Sequence, residues 1–228
     1  MPVLLIHAGV CDSRQWERQV ALLAPRRVIA PDLPGFGETP EPVGEFSPLD
    51  GIIPLLDRPT AVVGNSLGGR VALQLALARP ELVERLLLVA PALPGHDWSP
   101  EVRACGAAED EALERGDIEA ATEVCVEFWA QPQVRDAVRP MQRHALELQL
   151  AASDVHERPG PALDPAAVRC RTTIAVGEHD VRDFHEIAAR LAAEIPGARL
   201  VTIPGAGHLP NLETPDAFDR LLLEFLED

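Results

Sequence analysis

Basic side chains are scarce in this chain: 20 Lys and Arg stand against 36 Asp and Glu, for a net charge of −16. A surface so acidic repels phosphate and anionic lipid headgroups at long range, so neither nucleic acid nor a membrane surface is expected as a partner. Long apolar runs are missing too, each falling short of the roughly 18 residues that a membrane span takes. The opening segment MPVLLIHAGV has no basic residue ahead of its short apolar run, so no secretory signal is read there and a soluble, cytoplasmic chain is expected. Cysteine is sparse and unpaired. Cys11, Cys105, Cys125 and Cys170 form no Cys-x-x-Cys, which fits neither a zinc site nor a small disulfide framework, and they read as ordinary thiols. The glycine fingerprint of a dinucleotide site is also absent, because HAGVCDS (His7–Ser13) follows the first apolar run without a Gly-x-Gly-x-x-Gly.

What is present is a chain of 228 residues, 46% of them hydrophobic, enough for one large domain carrying an insertion. Continuous apolar runs recur at Val3–Ile6, Arg27–Ala30, Ala61–Val63, Arg85–Val89, Thr172–Val176 and Arg199–Ile203. Runs without polar alternation mark strands buried on both faces of a parallel sheet. Amphipathic segments lie between most of them, including Ser13–Ala24, Leu67–Pro80 and Phe184–Ile195. Strand and helix in alternation predict a doubly wound α/β fold, its sheet mostly parallel and its crossovers right-handed. The rhythm stops between Pro91 and Cys170, where no strand is read and helices are expected at Pro100–Arg115, Ile118–Ala130 and Gln133–Ala152. Gly/Pro-rich linkers at Ala90–Gly95 and Glu157–Pro165 bound this stretch. The expected layout is a core from 1–91 and 170–228 with a helical cap inserted at 92–169.

One serine stands out in AVVGNSLGGR (Ala61–Arg70), between a strand and a helix, with Gly64, Gly68 and Gly69 around it. A serine can cap a helix at such a turn, but Gly64-Asn65-Ser66-Leu67-Gly68 also fits Gly-x-Ser-x-Gly, a nucleophile elbow in which only small neighbours let strand and helix approach. A serine hydroxyl is a poor nucleophile near neutral pH. It needs an imidazole to take its proton and a carboxylate to hold that imidazole. Of the seven histidines, His208 lies in the loop IPGAGHLPNLE after the last strand, whereas His96, His144 and His156 fall in the insertion. Asp180 follows the apolar strand in IAVGEHDVRDF, with Glu178 and Asp183 as competitors. The order Ser66, Asp180, His208 is the one that accompanies an elbow on this sheet. The oxyanion formed on attack needs two backbone N–H groups, and Leu67 with Gly9 are the candidates, Val10 being second to Gly9. His7 is read as structural, and the group His179, Asp180, Asp183, His185 as a polar loop rather than a metal site.

The landmarks LLIHAG (Leu4–Gly9), Trp16, APDLPGFGET (Ala30–Thr39), VVGNSLGGRVAL (Val62–Leu73), RPELVERLLLVAP (Arg79–Pro91), VGEHD (Val176–Asp180) and IPGAGHLPNLETP (Ile203–Pro215) resemble those of the α/β-hydrolase superfamily. The likeness is to its cap-bearing serine hydrolases, such as 3-oxoadipate enol-lactonases and small bacterial esterases. It implies Ser66 as nucleophile, Asp180 as acid and His208 as base, a small ester or lactone as substrate, and no cofactor or metal. Carbon–carbon hydrolysis of vinylogous diketones, acyl transfer, and a receptor that keeps the triad only to bind a ligand are the alternatives. The chain departs from the family in His7-Ala8, where His-Gly is usual, and in beginning at a strand that two others usually precede. The sheet edge beside Arg27–Ala30 is therefore expected to be open, and the chain to be marginal or self-associating, either by edge pairing into a defined homodimer or by nonspecific aggregation. Trp98, Phe128, Trp129 and Met141 are the large apolar groups of the insertion, expected to pack rather than to recognise substrate.

Overall fold

The computed structural model describes residues 1–152, 155–158 and 163–227. In chain order the elements are β1 (Val3–Ile6), a 3-10 turn (Ser13–Trp16) running into α1 (Glu17–Leu22), β2 (Val28–Ile29), β3 (Gly44–Phe46), α2 (Pro48–Ile52), β4 (Thr60–Asn65), α3 (Leu67–Ala78) and β5 (Val83–Val89). After these come α4 (Pro100–Glu114), α5 (Ile118–Trp129), α6 (Arg135–Ala151), β6 (Val155–Glu157), β7 (Arg171–Gly177), α7 (Arg182–Glu194), β8 (Arg199–Ile203), α8 (Pro210–Glu213) and α9 (Pro215–Glu227). Six strands form one parallel sheet in the order β2-β1-β4-β5-β7-β8, which is the doubly wound α/β architecture. No helix among the described residues is long and apolar enough to cross a membrane.

The continuous apolar runs are explained by the two faces of this sheet. Successive side chains of a strand point to opposite faces. Leu4, Ile6, Val62, Leu86, Leu88, Ile174 and Val176 enter the core shared with α3 and α7, while Val3, Leu5, Val63, Leu87, Val89 and Ala175 enter the core that holds Trp16, Phe218 and Phe225. Both faces are dry, so neither needs polar alternation, and each fully buried Val, Leu or Ile contributes about 1.5–3 kcal/mol.

Several expected boundaries move. The run Arg27–Ala30 yields only Val28–Ile29 as strand, since only two positions meet β1, Val3 with Val28 and Leu4 with Ile29. The segment Ser13–Ala24 is split at Trp16 between the 3-10 turn and α1. Helix α7 starts at Arg182, two residues ahead of Phe184. The three helices expected between Pro91 and Cys170 are present as α4, α5 and α6, but the expectation that this stretch holds no strand is corrected: β6 pairs in parallel with β3, Gly44 to Val155 through Phe46 to Glu157. Three-residue strands reading GEF and VHE carry no periodic signal, and their pairing joins segments far apart in sequence. Residues 159–162 of the expected second linker lie outside the described residues.

The helices between β5 and β7 are fastened over the C-terminal ends of the strands. Val126, Ala130, Val138 and Met141 bury against Ala8, Val10 and Leu209, from the loops that follow β1 and β8. Asp183 of α7 accepts the Ser99 N–H at 2.7 Å and the His96 ring at 3.1 Å, tying the start of α4 to the core. Glu213 of α8 accepts the Gln131 N–H at 3.1 Å just beyond α5.

Candidate active site

Ser66 sits between β4 and α3 with φ 54° and ψ −111°. The surrounding glycines answer a steric demand: a Cβ on Gly64 would overlap the Gly68 carbonyl, one on Gly68 would overlap the Ile6 carbonyl, and one on Gly69 would lie 2.7 Å from Pro91 Cβ. Strand β4, the turn and α3 are packed backbone to backbone, so side chains there have no room. The Ser66 N–H donates to Val89 O at 2.9 Å and the Ser66 carbonyl accepts from Ala92 N at 3.0 Å, anchoring the turn to the end of β5.

His208 and Asp180 come from the loops after β8 and β7. The His208 Nδ1 lies 3.0 Å from Asp180 Oδ2 and 3.2 Å from Oδ1. Both side chains are almost wholly shielded, 6% and 1% exposed, so the pair is out of reach of competing solvent. Asp180 Oδ1 also accepts the Val181 N–H at 2.8 Å, fixing the carboxylate. The imidazole packs against two rings, with centroids 4.3 Å from Phe184 and 4.7 Å from Trp129. Ser66 and His208 line one cavity, together with Gly9, Val10, Glu109, Cys125, Trp129 and Gln142. No hydrogen bond joins Ser66 Oγ to His208 among the described residues; such contacts often tighten only when substrate is bound. The N–H groups of Gly9, Val10 and Leu67 donate to no backbone acceptor outside the regular elements among the described residues, and a Cβ on Gly9 would meet the Leu67 side chain at 3.6 Å.

The competitors have other duties. Glu178 accepts the Gly205 N–H at 2.8 Å and braces the histidine loop from outside. Asp183 is committed to Ser99 and His96. His144 bonds Gly37 O at 3.1 Å, and His156 is in β6 opposite Glu45; neither these nor His96 line the serine cavity. Asp180 and Asp183 serve different partners, and among the described residues no three His, Cys, Asp or Glu side chains form a group able to hold a metal ion. His7 is fully buried, its Nδ1 donating to Ala8 O at 2.8 Å and its Nε2 accepting the Leu33 N–H at 2.9 Å. Burial holds its pKa below the ordinary histidine value, although the Ala8 bond and the charges of Asp32 and Asp12 pull the other way. Met141 packs in the core beneath the inserted helices as expected, but Trp129 reaches the cavity and the imidazole, which a helical apolar pattern alone did not distinguish from packing.

A buried network that sequence reasoning missed joins the three loops. Gln15 Oε1 accepts the Ala8 N–H at 2.8 Å, and its Nε2 donates to Asn65 Oδ1 at 2.8 Å and Asn211 Oδ1 at 2.9 Å. Asn65 Nδ2 in turn lies 3.1 Å from Val89 O and 3.2 Å from His208 O, and Asn211 Nδ2 donates to Gln15 O at 2.7 Å. Nothing local in the sequence marks it, since Gln15 lies among Asp12, Arg14, Glu17 and Arg18.

Comparisons with known proteins bear on the family and the fold. The sequence is 28% identical to a pimeloyl-[acyl-carrier protein] methyl ester esterase of Pectobacterium atrosepticum, over 99% of this chain and 94% of the esterase. The fold superposes on a hydrolase of Pseudomonas aeruginosa with a TM-score of 0.80 at 27% identity, covering 100% of this chain and 90% of that one. It also superposes on the enol-lactonase of Burkholderia xenovorans LB400, TM-score 0.80 at 23% identity, covering 100% and 91%, a likeness of fold. A family model, the alpha/beta hydrolase family, matches residues 3–221. With the sheet order, the strained serine and this match in hand, the chain belongs to the alpha/beta hydrolase family.

Proposed function

We propose that the chain is a serine hydrolase that cleaves a small carboxylic ester or lactone through an acyl-enzyme. The observation that carries this reading is a strained serine sharing a cavity with an imidazole whose far nitrogen is held by a buried carboxylate. Ser66 Oγ attacks the carbonyl carbon while His208 Nε2 takes its proton; Asp180 keeps Nδ1 protonated and stabilises the imidazolium. The N–H groups of Gly9 and Leu67 receive the oxyanion. The tetrahedral adduct expels the alcohol oxygen, which leaves with the proton from His208, and water then repeats the sequence on the acyl-enzyme to release the acid and free Ser66. In this reading residues 92–169 cap a core built from 1–91 and 170–228. The test is turnover of the purified protein on p-nitrophenyl esters, small lactones and a vinylogous diketone. Esters or lactones are expected to be hydrolysed. Turnover of the diketone alone, or binding with no turnover, would overturn the proposal.

A further inference from the structure

Trp129 stands between two hollows. The one before Ser66 has a volume of about 220 Å³ and the second about 230 Å³, each below the roughly 300–1,000 Å³ of sites that enclose drug-sized ligands. Among the described residues, Trp129 and His208 are the two that line both. The second hollow lies at the seam between the inserted helices and the core, with Phe128 and Pro132 contributed around the end of α5 and Asp180 and Val181 by the loop after β7. Trp129 closes α5, and its ring centroid is 4.7 Å from the His208 imidazole, 5.9 Å from Phe184 and 4.5 Å from Phe128. Three ring contacts hold the indole as a wall that ends the Ser66 cavity on the side of the imidazole. That side belongs to one end of an ester. In the proposed mechanism His208 gives its proton to the alcohol oxygen as the bond to the acyl carbon breaks, so the alcohol portion lies toward the imidazole. A longer alcohol would run into the indole. With the indole removed it would pass into the second hollow, where Phe128, Pro132 and Val181 offer apolar contact.

We infer that Trp129 sets the length of alcohol that the site accepts, so that the protein, read as a serine hydrolase, cleaves esters of short alcohols and turns away longer ones. The inference rests on the hydrolase reading and adds to it a specificity-determining residue and the end of the substrate on which that residue acts.

Two ester series test it, with acid release as the readout: ethyl, butyl and hexyl acetate vary the alcohol, and ethyl acetate, butanoate and hexanoate vary the acyl chain. In the parent protein hexyl acetate should fall below ethyl acetate in kcat/KM by about tenfold or more, the lower end of what one methylene is worth in an apolar pocket. Trp129→Ala should raise the hexyl-to-ethyl ratio among the acetates by about the same factor and leave the hexanoate-to-acetate ratio among the ethyl esters near the parent's. Trp129→Leu, a gentler change, should move the alcohol ratio in the same direction. Met141→Ala loosens the packing of the same helices without lining either hollow and should leave both ratios near the parent's. Each ratio is taken within one variant, so a weakened imidazole or a misfolded fraction cancels. Equal rates on hexyl and ethyl acetate in the parent, an alcohol ratio unmoved by both Trp129 substitutions or moved as far by Met141→Ala, or a gain confined to the acyl series would overturn the inference. So would failure to turn over any of these esters by protein whose Ser66 is labelled by a fluorophosphonate. Failure to label Ser66 in folded protein would instead overturn the hydrolase reading, and the inference with it.

Discussion

At Ser66 the backbone occupies φ 54° and ψ −111°, a conformation that costs on the order of 1–3 kcal/mol for a residue with a side chain. The surrounding packing holds it there, with the hydroxyl at the rim of the cavity. Asp180 and Glu178 separate cleanly by their partners. Asp180→Asn removes the charge that stabilises imidazolium and permits the wrong tautomer, so kcat should fall about 10³–10⁴-fold. Glu178→Gln retains an acceptor for the Gly205 N–H and should change kcat by less than about threefold, a surface substitution of small effect. The reverse ranking in steady-state rates would move the acid to Glu178. His7 makes a separate prediction about stability. Its folded-state pKa is depressed by burial, so the unfolded chain binds the extra proton first as pH falls. Stability from this group is therefore fully present above the unfolded value of about 6.5 and declines as pH drops from there through the lower folded value. His7→Gln, with a donor and an acceptor but no titration, should flatten that part of the curve, as read from urea midpoints between acid and neutral pH; an unchanged slope would contradict it.

Among the elements, the 3-10 turn Ser13–Trp16 has the greatest reach, because Gln15 connects the loop after β1, the elbow and α8. Gln15→Leu would leave the Ala8 N–H without its acceptor and the Asn65 and Asn211 oxygens without their donor, at about 1–3 kcal/mol for each group left unpaired. A thermal midpoint lowered by several degrees is the expected result, together with a loss of kcat larger than the change in KM as the loops lose register. A midpoint unchanged from the parent would show the network to be incidental. No local pattern could reveal this network, since Gln15 meets partners 50 and 196 positions away. By contrast β1, β4, β5 and β7 were legible because strands buried on both faces read as apolar runs, whereas β8, mostly exposed, was legible from its β-branched residues ahead of a glycine-rich loop. Ser66, Asp180 and His208 were legible because each follows such a run at the same end of the sheet. The pair β3 and β6 was not, being short, polar and joined only by long-range pairing. Glu109, Gln142 and Trp129 were hidden for a related reason: helical periodicity gives a face, and only the tertiary docking of α4, α5 and α6 decides which part of that face meets the cavity.

For the molecule as a whole, the edge strand β2 carries the open question of assembly. Its outer side has no strand partner among the described residues, yet it offers only Val28 and Ile29. Short edges limit pairing between copies, and the net charge of −16 adds mutual repulsion. Association through this edge should therefore be weak and concentration-dependent, strengthened by salt. Light scattering across a dilution series at two salt concentrations should show a dimer that dissociates on dilution; a monomer at every concentration would remove the edge as an interface.

In the proposed mechanism Ser66 is the residue acylated. Incubation of the folded protein with a fluorophosphonate, followed by peptide mass mapping, tests it without knowledge of the substrate. One label is expected, on the peptide containing Ser66, lost in Ser66→Ala while the thermal transition is retained. Labelling of another serine, or none in protein that unfolds cooperatively, would contradict it.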